Sequence, residues 1–179
     1  MEFLCNIRGF WAAILLFFAL PAQASTVVGV SEAELLSRSA VVGFGTVLNT
    51  TPYTNERGQV FTRAQVQVHE AVKGLQVGQV ITVEVPGGTA ANGLVAHSTG
   101  VPGLVPGQML FGFWVASSDA KIFRPLGLSY GQLKVRQDGR GRLYAKRDTT
   151  DLQVLNRSLS DAEEPLAALV ARLRRQVRP

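Results

Sequence analysis

The chain has 179 residues, a formal net charge of +5 and a single cysteine, Cys5. One cysteine excludes an intrachain disulfide scaffold and a zinc site built from several thiolates. The positive charge is uneven, because residues 25–119 carry 4 basic and 6 acidic side chains whereas residues 120–179 carry 13 basic and 6 acidic ones.

The first 24 residues have the three parts of a secretory signal peptide. A short start with one basic residue, Arg8, precedes an unbroken apolar run at residues 10–20, and Pro21 ends that run. The small-x-small site after Pro21 predicts cleavage between Ala24 and Ser25. The run is too short for the ~20 residues of a spanning helix. We therefore expect a secreted or periplasmic mature chain without cysteine and without a transmembrane span.

The mature chain begins with a predicted short helix and a set of strands. Residues 31–34 resemble a capping box, so a helix is expected over 31–38. Residues 40–48 form an apolar strand whose two glycines permit a bulge. Residues 60–72 and 80–85 alternate apolar and polar side chains, which is typical of strands with one wet face. On this pattern Glu70 and Glu84 are solvent-facing residues that serve solubility.

A long loop rich in glycine and proline is expected over residues 87–107. Further strands are predicted at 109–116 and 122–126, and a hairpin at 128–135 and 143–145. Residues 148–160 are polar and less regular. A helix capped by Ser160 or Asp161 continues to residue 177, with an apolar stripe at i, i+3, i+4 and i+7 made of Leu166, Leu169, Val170 and Leu173. The predicted domains are a barrel at 25–147 and a linker with a C-terminal helix at 148–179.

Two similar sequences each precede a strand. Residues 74–79 read GLQVGQ and residues 103–108 read GLVPGQ. Glycine before the last residue indicates a tight turn. Two copies are too few for a stacked repeat.

The order of the strands resembles that of uncharacterised secreted bacterial proteins with an OB-fold or netrin-like barrel. The resemblance is carried by VVGFGTV at 41–47, VQVHEAVKG at 66–74, VEVPGG at 83–88 and PGLVPGQMLF at 102–111. It implies a mainly β fold, a small five- to six-stranded OB-like barrel with a short N-terminal helix and a C-terminal amphipathic helix. Netrin-like protease inhibitors use an N-terminal cysteine, which the expected mature chain lacks, so that mechanism is not carried over.

The catalytic inventory of the sequence is small. Only two histidines occur, His69 and His97, and they form no metal-ligand spacing, so neither a metal nor another cofactor is predicted. His97 and Ser98 are neighbours in the long loop, which is unsuited to a nucleophile and its base. Ser129 sits in a Gly-x-Ser-x-Gly match without the helix that should come after it.

Two segments are candidate binding surfaces. One is the long loop with His97 and Ser98, and the other is a basic stretch containing Lys134, Arg136, Arg140 and Arg142 together with Lys146 and Arg147. Such a stretch favours an anionic polymer of the cell envelope or a secreted protein. Nucleic acid is not expected, because few aromatic residues accompany the charges.

These observations predict an exported, non-enzymatic binding module of unknown ligand. Two alternatives stay open: a partner or inhibitor of a secreted metalloprotease, and a cryptic hydrolase that uses His97 and Ser98.

Overall fold

A computed structural model describes residues 25–91, 93–156 and 159–177. The predicted signal peptide, including Ala24, lies outside these residues. The described helices are α1 (Glu32–Arg38) and α2 (Leu166–Val177), with a 3₁₀ turn at Leu128–Gly131. The strands are β1 (Ser25–Val28), β2 (Val41–Thr54), β3 (Val60–Lys73), β4 (Val80–Pro86), β5 (Gly88–Thr89), β6 (Val95–Ala96), β7 (Met109–Ala116), β8 (Ile122–Pro125), β9 (Gln132–Gln137), β10 (Leu143–Arg147), β11 (Leu152–Leu155) and β12 (Glu164–Pro165).

Five of the strands close into an OB-like barrel, which confirms the predicted fold class. Strands β2, β3 and β4 form an antiparallel meander. Strand β8 runs parallel to β4 and antiparallel to β7, and β7 returns antiparallel to β2. Closure in this order leaves the β2 and β4 edges paired.

The interior of the barrel results from the alternation in the strands. In β3, Ala64, Val66 and Val68 are buried while Gln65 is exposed, as predicted. Apolar side chains from the other barrel strands meet them, among them Val47, Ile81, Val83, Leu110 and Trp114. Burial of these side chains contributes about 1.5–3 kcal/mol each to folding.

The two glycines of β2 allow the strand to bend around the barrel. The register between β2 and β3 shifts next to Gly43 and again next to Gly45, which confirms the predicted bulge. A Cβ at Gly43 would lie 2.5 Å from the carbonyl oxygen of Glu70, and one at Gly45 would lie 2.4 Å from that of Gln67. Only glycine permits this close approach of the two backbones.

A second apolar layer covers one side of the barrel. Strands β9, β10 and β12 continue the sheet beyond β7, and both helices pack on it. The Ser31 side chain accepts a hydrogen bond from the Glu34 amide and begins α1 as predicted. The α2 stripe is buried in this layer, as the sequence pattern predicted, at Leu166, Leu169, Val170 and Leu173. Neither described helix is long and apolar enough to cross a membrane.

Two local predictions need correction, and one strand pair was not predicted. The strand expected from residue 128 begins at Gln132, because residues 128–131 form a 3₁₀ turn after Gly127, whose φ is +70°. Helix α2 begins at Leu166 and not near Ser160, because Glu164 and Pro165 pair with β10 as β12. The sequence also missed the parallel pair of β1 and β11, which joins segments 127 residues apart.

The last four residues of the two similar sequences, 76–79 and 105–108, form equivalent turns. Gly78 and Gly107 have φ of +85° and +82°, and their amides donate to the carbonyl oxygens of Val68 in β3 and Val47 in β2. In each turn the final glutamine side chain accepts a hydrogen bond from the amide three residues earlier, at 3.1 Å in both cases. Each copy therefore anchors the start of a barrel strand.

Candidate functional site

The long loop does not bring its predicted site residues into a catalytic arrangement. His97 is exposed and Ser98 is half-buried, and the hydrogen bonds of the described residues include none between a serine and a histidine. Both residues line a shallow groove of about 260 Å³ beside Thr62 and Pro86. The loop is fastened at its start by the Gly87 amide, which donates to the carbonyl of Val60.

Three of the six residues of the predicted basic stretch form salt bridges with nearby carboxylates. Lys134 pairs with Asp148 at 2.6 Å, Arg136 with Glu163 at 2.6 Å, and Arg142 with Asp138 at 2.8 Å. The hydrogen bond from Lys134 lowers the pKa of Asp148 to about 2. Arg140 has no carboxylate partner among the described side chains, and only its amide contacts Asp138.

A groove of about 730 Å³ lies between α2 and the sheet, and we call it the α2 groove. Its apolar walls come from four elements, β2, β10, β12 and α2, through Phe44, Leu143, Tyr144, Pro165, Leu166, Ala167, Val170 and Ala171. Of the binding residues predicted from the loop and the basic stretch, Arg142 is the one that lines this groove.

The width of the α2 groove depends on two alanines one helical turn apart. Leu166 and Val170 face the core, so the adjacent positions Ala167 and Ala171 face the groove and are exposed. Because both side chains are small, space remains open between the helix and the rings of Phe44 and Tyr144. This pair of alanines beside the apolar stripe is the sequence signal that could have indicated the groove.

Charged side chains form the rim of the α2 groove. Arg174 donates from Nη2 to Glu70 at 2.8 Å and to the carbonyl of Ala71 at 2.8 Å. The guanidinium of Arg142 lies 5.7 Å from the ring centroid of Tyr144. Because both arginines are about half exposed, they present N–H groups to solvent at the rim.

One hydroxyl–imidazole contact lies at the rim of the same groove. His69 and Thr46 share a hydrogen bond of 2.9 Å between Nε2 and Oγ1, and the imidazole lies 5.5 Å from the ring of Phe44. No carboxylate of the described residues accepts a hydrogen bond from the second ring nitrogen. A nucleophile needs such an orienting acid, so this contact positions the imidazole rather than completing a catalytic triad.

Glu84 is buried, which corrects its assignment as a solvent-facing residue. Its side chain is 2 % exposed because Arg63 of β3 and Arg124 of β8 cover it from both sides. Arg63 Nε donates to Oε2 at 3.0 Å, Arg124 Nε donates to Oε1 at 3.1 Å, and the Tyr53 hydroxyl donates to Oε2 at 2.6 Å. Burial alone would raise the pKa of Glu84, but the hydrogen bonds from Tyr53 and the two arginines outweigh it and hold the pKa below its usual range.

Arg147 is also buried, which corrects its place in the exposed basic stretch. The residue is 5 % exposed, and its guanidinium lies 5.0 Å from the ring centroid of Tyr130. Burial lowers the pKa of Arg147 from its ordinary value. The residue lines a polar pocket of about 720 Å³ at the end of β10, together with Lys134.

Within residues 25–91, 93–156 and 159–177, no three histidine, cysteine or acidic side chains come together as they would around a metal ion. Comparison of the chain with protein-family models, with curated proteins and with solved structures finds no match.

Proposed function

We propose that this protein is an exported, non-enzymatic binding module whose α2 groove holds an anionic amphiphile with a single acyl chain. The observation that supports the proposal is a preformed apolar groove of about 730 Å³ with arginines at its rim. Ligand sites of proteins commonly enclose about 300–1,000 Å³ and combine apolar walls with a few polar groups. The α2 groove has this size and this division of surface.

The shape and charge of the groove favour a chain-shaped ligand with an anionic head. An acyl chain can bury its surface against the apolar walls, which include Phe44 and Val170. Each Å² of apolar surface removed from water contributes about 25 cal/mol to the binding free energy. Arg142 and Arg174 stand at the rim, where their remaining N–H groups can bind a carboxylate. A fatty acid meets both requirements with one molecule.

Export and the absence of catalysis remain part of this proposal. Export depends on the signal peptide predicted from residues 1–24. The protease-partner and hydrolase alternatives stay predictions of the sequence, and no contact among the described residues favours either of them.

Binding of dodecanoate, measured by displacement of a fluorescent fatty acid, tests the proposed site. Three exposed alanines of α2 provide a matched set, because Ala167 and Ala171 line the groove and Ala168 does not. We expect Ala171→Trp to fill the groove and weaken binding by at least about tenfold, whereas Ala168→Trp leaves it unchanged. Equal losses in both variants would refute the site.

A second comparison tests the anionic head. Arg142 lines the groove, while Arg140 lies two residues away in the same β9–β10 turn and does not. We expect Arg142→Gln to weaken dodecanoate binding several-fold and Arg140→Gln to have no effect. Dodecanol should bind more weakly than dodecanoate to the unaltered protein. If both ligands bind equally well, the groove is an apolar site without preference for an anion.

A further inference from the structure

A second pocket, the Arg147 pocket, lies at the opposite end of β10 from the α2 groove. It has a volume of about 720 Å³, and the side chains that matter for its chemistry are Lys134, Lys146, Arg147, Asp148 and Asp161. Three cations against two carboxylates leave an excess of one positive charge. The pocket shares no lining residue with the α2 groove, so a ligand bound in it is independent of the proposed function.

The guanidinium of Arg147 has no hydrogen-bonding partner among the described residues. Its Nε and Nη1 atoms are inaccessible to solvent and donate to no described oxygen, while the residue as a whole is 5 % exposed. The ring of Tyr130 covers one face of the guanidinium. A buried charge without hydrogen bonds is unfavourable unless another group compensates it.

The carboxylates that surround Arg147 are held by other residues. Asp148 accepts hydrogen bonds from Lys134 at 2.6 Å and from the Thr150 hydroxyl at 2.7 Å. Asp161 accepts one from the Thr149 hydroxyl at 2.9 Å. Glu32 and Glu164 both bind the guanidinium of Arg172, at 2.8 Å and 2.7 Å. These acidic groups therefore accept their hydrogen bonds from other residues, and Asp161, Glu32 and Glu164 attract the charge of Arg147 only through space.

Lys146 adds a second cation to the same pocket. It lies opposite Lys134 in the register between β10 and β9, where two like charges repel each other. Asp148 compensates Lys134, and no carboxylate among the described residues pairs with Lys146. The pocket thus joins a buried guanidinium to an exposed ammonium group. Neither forms a salt bridge with a carboxylate of the described residues, while Asp161 attracts Arg147 and Glu163 attracts Lys146 without direct contact.

We infer that the Arg147 pocket binds a phosphate group through the guanidinium of Arg147 and the ammonium group of Lys146. The guanidinium supplies a buried positive charge that a phosphate oxygen can compensate, and the lysine adds a point charge. A phosphate brings the negative charge that compensates the surplus of the pocket. Inorganic phosphate and a phosphate monoester share this chemistry.

Thermal unfolding with inorganic phosphate, at an ionic strength held constant with chloride, tests the inference. A ligand that binds only the folded state raises the Tm in a saturable way. We expect such a rise for the unaltered protein and none for Arg147→Met. This variant replaces the charged side chain with an apolar one that can stay buried. Arg140→Gln, a change of an exposed arginine outside the pocket, should keep the full response.

Lys146→Gln keeps the test decisive if Arg147→Met does not fold. Lys146 is exposed, so its replacement preserves the fold, and we expect the phosphate concentration for half-maximal Tm rise to increase about tenfold. The same measurement with glycerol phosphate then distinguishes an ester from the free ion. If the site prefers a phosphate monoester, the half-maximal concentration of glycerol phosphate is lower than that of inorganic phosphate. A Tm that responds equally to phosphate and chloride, or equally in Lys146→Gln and the unaltered protein, would overturn the inference.

Discussion

The indole of Trp114 lies against the backbone of Gly112, two residues earlier in β7 and on the same inward face. A Cβ added at Gly112 would come within 2.2 Å of two ring carbons of Trp114. Trp114 itself is fully buried in the barrel, paired across from Val41 of β2. The largest side chain of the interior therefore occupies space that exists only because position 112 has no side chain.

We expect Gly112→Ala to lower the free energy of unfolding by about 1–3 kcal/mol, because overpacking forces the indole or the strand to move. Urea denaturation measures this cost. Gly139→Ala is the matched control, since an added Cβ there meets no atom within 4 Å and its φ is not in the left-handed region. A cost at Gly112 no larger than that at Gly139 would contradict the packing seen at Trp114.

Glu84 and Glu70 provide a direct comparison of a buried and an exposed ion pair. Glu84→Gln removes the negative charge that pairs with both Arg63 and Arg124. We expect the free energy of unfolding to fall by about 2–3 kcal/mol, less than for a fully buried pair because both arginines are half exposed. Glu70→Gln breaks the exposed pair with Arg174 and should cost less than about 1 kcal/mol. Equilibrium unfolding in urea gives both values. Equal losses of stability in the two variants would show that Glu84 behaves as the solvent-facing residue that the sequence predicted.

The same carboxylate predicts a pH dependence of stability. Since the folded-state pKa of Glu84 is below its ordinary value of 4.5, its contribution is fully present above that value. The contribution is lost as the pH falls through the lower folded-state pKa. We therefore expect the stability difference between the unaltered protein and Glu84→Gln to shrink as the pH falls from about 6 to about 3. A difference that stays constant over this range would show that the charge of Glu84 is not what stabilises the fold.

The two equivalent turns predict equal effects at positions 29 residues apart. Gly78 and Gly107 both have left-handed φ, so alanine at either position costs about 1–2 kcal/mol. Gly103→Ala, in the same sequence copy as Gly107 but without a left-handed φ, should change stability by less than about 0.5 kcal/mol. Thermal unfolding of the three variants compares them. A marked difference between Gly78→Ala and Gly107→Ala would mean that the copies are alike in sequence only.

The candidate sites were less predictable than the fold. Charge alone indicates Arg142 as a binding residue, and it lines the α2 groove. Charge also indicates Lys134, which lines the Arg147 pocket. The sequence does not predict the apolar walls of the groove, because Phe44 and Val170 each have the pattern of a core residue. The distance between them depends on how two distant segments pack, which neither segment determines.

The burial of charged residues is hard to predict for a related reason. Alternation along β4 assigns Glu84 to the wet face, and that assignment is locally sound. Arg124, 40 residues further along the chain, covers the carboxylate. The pattern of residues within β4 contains no information about this contact. Arg147 likewise follows the alternation of β10 onto the face that Tyr130 covers.

The sequence by itself determined the strands of the barrel, the cap of α1 and the buried stripe of α2, because these depend on periodicity and on hydrogen bonds between near neighbours. Tertiary structure alone decided the closure through β8, the α2 groove and the surroundings of Glu84 and Arg147. Each of these arises where segments distant in the chain meet, and the free energy of such contacts depends on distances that the order of residues does not contain.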